Sequence, residues 1–357
     1  LATSGELPVY FAWPRKPVPG LDVETHAEFA RDIPGRKISG MSIPVGYLTH
    51  MGSVEDVRIS MSLEELTRHM FVAGTTGSGK SNFCYVLLDG LMKSGVNVLA
   101  VEPAKGEYAS VFGGRKDVHV FGTNDWFGPM LTINPFAFPA GIHVLEHLER
   151  LIQVFNASWP MYAAMPEVLK EAVARAYEAC GWDLDTGECV CDPPVFPTFV
   201  QVTRTLPEVL NETAYSQEVK GNYMGALLTR VKSMTQYSYK KIFCQEEIPD
   251  QELFDTNVLI DISRLGSSET KALIMGILVI RLQEYRSVQK GGMNRKLRHV
   301  NPSGRSPSSA AGRICRSCCG RRKSEGNVRG NTHQCHSGDA YLRGRICDCG
   351  SVSEGDG

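Results

Sequence analysis

The apolar positions of this chain change period several times, and each change marks an element boundary. Residues 1–40 are rich in Pro and Gly with no sustained period, and predict an irregular lead-in. Residues 41–69 carry two strand-like runs, 42–48 and 57–61, which predict a small β element. Met70-Phe71-Val72-Ala73 reads as a short buried strand, after which Phe83, Val86, Leu87, Leu88 and Leu91 recur at helical spacing. Residues 96–101 form a near-continuous apolar run, typical of a parallel strand covered on both faces, and 118–121 is a shorter candidate for the same sheet. Residues 70–139 therefore read as the first part of a core that alternates strand and helix.

From about 140 to 250 the period turns helical. Val144, Leu148, Leu151, Ile152 and Phe155 share one face, and Pro166 opens a second helix through Val168, Leu169, Val173 and Tyr177. Gly181 and residues 186–197 break the pattern and 219–234 resume it, so this stretch reads as a helical insertion. The core returns over 251–300, with a strand at 257–262 and a helix carrying Leu273, Ile274, Ile277 and Leu278 and ending near Arg286. The predicted class is α/β.

The chemistry enters between the first core strand and its helix. Gly74-Thr75-Thr76-Gly77-Ser78-Gly79-Lys80-Ser81 fits G-x-x-x-x-G-K-[ST] without a mismatch, in strand–loop–helix context. Glycines there let backbone N–H groups converge on phosphates at the positive end of a helix. Lys80 would reach the β- and γ-phosphates and act in catalysis, and the Ser81 hydroxyl would ligate Mg²⁺. The expected cofactors are ATP and Mg²⁺, held by Gly74 through Asn82.

Other residues carry two readings each. Glu102 ends a buried strand at its carboxyl edge, where open α/β sheets bind ligands; it either positions catalytic water or caps a helix. Glu107 has the same choice, with Lys105 as an ion-pair partner. Arg68 and His69 either reach the nucleotide or contact the preceding β element. Asp261 follows Val-Leu-Ile but has no acid beside it, so it reads as belonging to a neighbouring strand rather than a Walker B strand. Arg264 is either a trans-acting arginine or a solvated one. Arg230, Lys232, Lys240 and Lys241 interleave with Tyr237 and Tyr239, a mixture suited to nucleic acid or to an exposed helix end. Arg286, Lys290, Arg295, Lys296 and Arg298 form a denser basic stretch with the same ambiguity.

Composition adds bounds. The 357 residues suffice for one large or two ordinary domains. With 38 Lys+Arg against 39 Asp+Glu there is no global basic field, which still leaves room for a ring motor with a few basic groups facing its channel. No run of 18 apolar residues and no signal peptide is present, so a cytoplasmic protein without a membrane segment is expected. A chain opening on Leu1 rather than Met is expected to be a fragment.

Residues 301–357 change language. They hold ten Gly, nine Ser, eight Arg and six of the 11 Cys, but only five residues from Leu, Ile, Val, Phe and Met, too few for a packed core. The remaining five cysteines are scattered, as in reduced cytosolic proteins. Cys315, Cys318, Cys319, His333, Cys335, His336, Cys347 and Cys349 could supply metal, but lack two well-spaced C-x₂-C arms. The better reading is a shifted frame. Moved by one nucleotide, the codons permitted from Asn301 can spell T-L-L-E-E-A-H-H-L-L, an apolar strand ending in two acids. Those from Thr332 to Ser353 can spell L-T-N-A-I-A-E-M-R-T-Y-G-E-G-F-V-I-A-D-Q-S-P, a helix and another strand. The expectation is a one-nucleotide insertion near the Val300 codon.

With these residues in view, the chain resembles the HerA/FtsK group of P-loop ATPases, in particular HerA-like proteins with the DUF87 central domain. The resemblance runs from about 40 to 300. It rests on Leu66-Thr67-Arg68-His69, on Gly74 to Ser81, and on Val101-Glu102-Pro103-Ala104-Lys105-Gly106-Glu107-Tyr108. Ile133-Asn134-Pro135-Phe136 and the strand at 258–262 with its helix add to it. It implies a RecA-like sheet, a hexameric ring that translocates on or unwinds DNA using ATP, and a partner nuclease. It also implies Walker B acids on the strand after the helix that follows Ile262, a strand this sequence lacks. Two other functions stay open: an ATPase of secretion or conjugation, and a nucleotide-binding module that does not hydrolyse.

Overall fold

A computed structural model describes Pro19 and residues 40–50, 53–67, 70–75, 77–289, 299–300 and 345–348. The lead-in other than Pro19 and Gly40, together with Arg68, His69, Thr76, Lys290, Arg295, Lys296, Arg298 and the metal-ligand candidates up to His336 and at Cys349, lies outside the described residues.

Strands β1 (Ser42–His50) and β2 (Ser53–Ser62) pair antiparallel as a two-stranded sheet with two register shifts. Ile43 of β1 is buried against the first core helix, α1 (Lys80–Lys93), with Leu87, Leu88, Leu91 and Met92. Between these elements runs β3 (Met70–Ala73).

A four-stranded parallel sheet forms the centre. In chain order its strands are β4 (Asn97–Glu102), β5 (Val118–Gly122), β6 (Asn257–Asp261) and β7 (His299–Val300); in space they run β5-β6-β4-β7. Side chains on β4 alternate between two cores. Val98 and Ala100 pack with α1, whereas Leu99 and Val101 pack into the larger cluster on the opposite face. Leu259 on β6 joins the first core, and Val258 and Ile260 the second. Both faces are covered, which is why these strands read as unbroken apolar runs.

The short helix α2 (Glu107–Phe112) follows β4. Helices α3 (Val144–Ser158), α4 (Met165–Ala179) and α5 (Phe199–Glu212) then build the larger core. A longer helical run follows, α6 (Gln217–Tyr223) passing through a π turn at Met224–Leu228 into α7 (Thr229–Ser233). Helices α8 (Tyr237–Ile242) and α9 (Asp250–Asp255) lead back to β6, and α10 (Ser268–Val288) packs against α3. One arrangement departs from simple strand–helix alternation. Among the described residues, β3 is not laddered into the four-stranded sheet but pairs antiparallel with β8 (Arg345–Asp348).

Candidate nucleotide site

The loop between β3 and α1 uses its glycines for different reasons. Gly77 and Gly79 have φ of 80° and 87°, left-handed values that an L side chain resists, while a Cβ at either would meet nothing within 4 Å. Gly74 answers a need for space, since a Cβ there would collide with the Ser78 hydroxyl. Ser78 N donates to the Thr75 carbonyl at 3.2 Å, and Phe83 N to the Gly79 carbonyl at 2.9 Å, closing the loop onto the first turn of α1. Lys80 Nζ folds back to donate to the Thr75 carbonyl at 2.5 Å.

Glu102 and Glu107 converge beside this helix. The Tyr85 hydroxyl, on the same face of α1 as Ser81, donates to Glu107 Oε2 at 3.0 Å, and Lys105 Nζ lies 3.2 Å from Glu107 Oε1. Lys105, then Tyr85, hold the Glu107 carboxyl below the usual carboxylate range, with a smaller contribution from the Ser81 hydroxyl. Burial, then Glu107, push the Tyr85 phenol up to about 12. Sequence reading passed over Tyr85, although its place one turn after Ser81 was a usable signal. Glu102 is buried, and its Oε2 accepts from Tyr108 N at 2.8 Å at the start of α2. Gly106, at φ 69°, sets up that turn, with Asp261 Oδ2 2.9 Å from where a Cβ would lie. Glu102 and Asp261 are register partners at the carboxyl edge of the sheet. Asp261 Oδ1 accepts from Ser263 N at 2.8 Å.

These groups fit a polyphosphate with a hard divalent cation. The start of a 14-residue helix, an ammonium, a hydroxyl and nearby carboxylates are the donors such a ligand needs. Among the described residues no group of three or more His, Cys, Asp or Glu could hold a metal by itself.

The structure separates the remaining basic candidates. Arg230 Nη1 donates to the Ala226 carbonyl at 3.1 Å, and Tyr239 packs against the core. Arg286 is tied to Asp255 at 2.7 Å and to the Phe254 carbonyl at 2.5 Å. Lys232 and Lys240 are exposed. Tyr237, Lys241 and Arg264 instead line a cavity at the ends of β5 and β6, with Arg264 lying over the Phe127 ring at 3.7 Å. Among the described residues no helix is long and apolar enough to cross a membrane.

No curated protein matches the chain. Among solved structures it is similar to that of VirB4 of Thermoanaerobacter pseudethanolicus, at 18% identity and a TM-score of 0.45, covering 70% of this chain and 65% of that one. The chain thus spans about 65% of that protein's length. Residues 43–282 match the family described as DUF87: Helicase HerA, central domain. On that match, which takes in the P-loop, Glu102, Glu107 and the whole sheet but β7, the chain belongs to the HerA central-domain family of P-loop ATPases.

Proposed function

We propose that this protein binds ATP·Mg²⁺ and couples its hydrolysis to movement along, or unwinding of, DNA as a ring of identical subunits with a nuclease as partner. The observation that carries the reading is Lys80 and Ser81 at the head of α1, facing Glu107 across Tyr85. The bound ligand supplies a transferable γ-phosphoryl and a cation that neutralises its oxygens. With ligand bound, Lys80 would exchange the Thr75 carbonyl for phosphate oxygens, losing one hydrogen bond and gaining charge-assisted ones. The Ser81 hydroxyl would ligate the cation. Glu107, kept ionised by Lys105 and Tyr85, is held beside α1 by the Tyr85 hydroxyl, and Glu102 holds the turn that carries it.

The test is ATP turnover with and without DNA, beside a Lys80→Ala control. Turnover above that control and raised by DNA supports the motor. Turnover indifferent to DNA favours an ATPase of secretion or conjugation. Tight ATP binding with turnover equal to Lys80→Ala favours a non-hydrolysing module.

A further inference from the structure

The carboxyl ends of β5 and β6 carry a second, separate site. The loop after β5, the start of α8 and the turn after β6 enclose a cavity of about 430 Å³, lined among others by Thr123, Asn124, Asp125, Tyr237, Lys241 and Arg264. Around it stand three large aromatics that folding leaves uncovered: Trp126 and Tyr237 are each 89% exposed and Phe127 65%. Large rings are ordinarily buried, and a cluster left in solvent marks a binding surface.

This surface is built. The loop is pinched at its base, where Gly122 N donates to the Pro129 carbonyl and Leu131 N to the Gly122 carbonyl, both at 2.8 Å. Asn124 Oδ1 accepts from Trp126 N at 3.0 Å, and Lys241 Nζ donates to Asp125 Oδ2 at 2.5 Å, joining the loop to α8. Tyr237 holds φ at 49°, an uncommon value for a bulky residue and one found where structure is held for a ligand.

Its chemistry selects the ligand. Among the residues that line the cavity, Arg264 and Lys241 outnumber the single acid Asp125, so the lining carries one excess positive charge. Ring faces and a guanidinium plane receive bases without regard to sequence, while cations and polar groups receive phosphates. A duplex hides its base faces in the stack, and an unpaired strand offers them. Resting on the DNA reading above, we propose that this cleft takes an unpaired DNA strand, with bases stacked on Trp126 and Tyr237 and phosphates at Arg264 and Lys241.

The test titrates the full chain with labelled oligo(dT), oligo(U) and a blunt duplex. Trp126→Ala and Tyr237→Ala should each weaken oligo(dT) about tenfold, and Arg264→Gln should lower the salt slope by about one phosphate's worth. Melting temperature and binding of a fluorescent ATP analogue should stay unchanged, because these side chains are exposed. If oligo(dT) binds the aromatic variants as tightly as the wild type, the site is wrong and the DNA reading survives. If neither oligo(dT) nor duplex binds the wild type, the DNA reading fails and takes the site with it. Equal loss on duplex overturns base stacking, and preference for oligo(U) makes the strand RNA rather than DNA. A change in sedimentation without a change in oligo(dT) affinity makes the face a contact between subunits and overturns the proposal.

Discussion

Arg281 of α10 is 3% exposed and holds two carboxylates, Glu247 at 2.6 Å and Asp250 at 2.5 Å. Glu247 also accepts from Asn134 N at 2.9 Å, so the cluster anchors the segment between β5 and the helical core. Arg281→Met keeps most of the volume and strands both acids. Breaking a buried pair costs about 3–5 kcal/mol. The side chains of Glu247 and Asp250 retain 24% and 17% exposure, so the low end applies, roughly 3 kcal/mol. At about 2–4 °C per kcal/mol, the melting temperature should fall by about 6–12 °C. Burial already pushes both carboxyls above their usual range, with Arg281 opposing it. A carboxyl raised in the folded state contributes stability that is fully present below its unfolded value near 4 and is lost as pH rises through the folded value. The deficit of Arg281→Met should therefore be small in mild acid and complete at neutral pH, as followed by circular dichroism melts. Replacing the acids as well, in Arg281→Met/Glu247→Leu/Asp250→Leu, should regain most of the loss, short by about 1 kcal/mol for the bond to Asn134. A deficit that is flat with pH, or a triple variant less stable than the single one, refutes the reasoning.

Gly106→Ala combines a left-handed φ of 69° with a Cβ 2.9 Å from Asp261 Oδ2, and should cost about 2 kcal/mol in chemical denaturation; a variant as stable as wild type would mean the turn relaxes freely. Ultraviolet titration should find Tyr85 ionising near 12, and Tyr85→Phe should remove one late-titrating phenol. The same variant should let the Glu107 carboxyl drift back up. A lowered carboxyl stabilises above its usual range and loses that stability as pH falls, so Tyr85→Phe should be less acid-sensitive than wild type. An unchanged acid limb counts against the Tyr85–Glu107 bond.

The strands of the sheet were legible because both faces are covered, so Val98 through Val101 read as one apolar run whichever core each joins. Their spatial order was not legible, since periodicity carries no information about which strand pairs with which. Asn134-Pro135-Phe136 stood out as a family mark without a visible reason. The reason is long-range: Asn134 Nδ2 donates to the Pro197 carbonyl at 3.0 Å, the Tyr177 hydroxyl to Phe136 O at 2.5 Å, and His147 Nε2 to Pro135 O at 3.1 Å. The loop with Trp126 and Phe127 has no period at all, and its importance emerges only from its exposure.

The register of β7 connects the tail to the chemistry. His299 and Val300 lie parallel to Asn97 and Val98, at the beginning of β4, while β6 lines its other edge from Leu99 to Glu102. A strand continuing in that register would cover buried Leu99, Ala100 and Val101, where apolar side chains are required. The encoded Asn301-Pro302-Ser303 offers polar groups and a proline without an N–H, unsuited to the interior of a sheet. The shifted frame instead offers T-L-L there, and in a register extended from His299 and Val300 its first acid would fall opposite Glu102. We propose on this ground that the shifted frame, rather than the encoded one, supplies the strand beside β4. Removing one nucleotide near the Val300 codon should raise ATP turnover by about a hundredfold, the scale of a positioned catalytic acid. A restored chain no faster than Lys80→Ala, or a natural reading frame that runs uninterrupted into the encoded tail, would sink the argument.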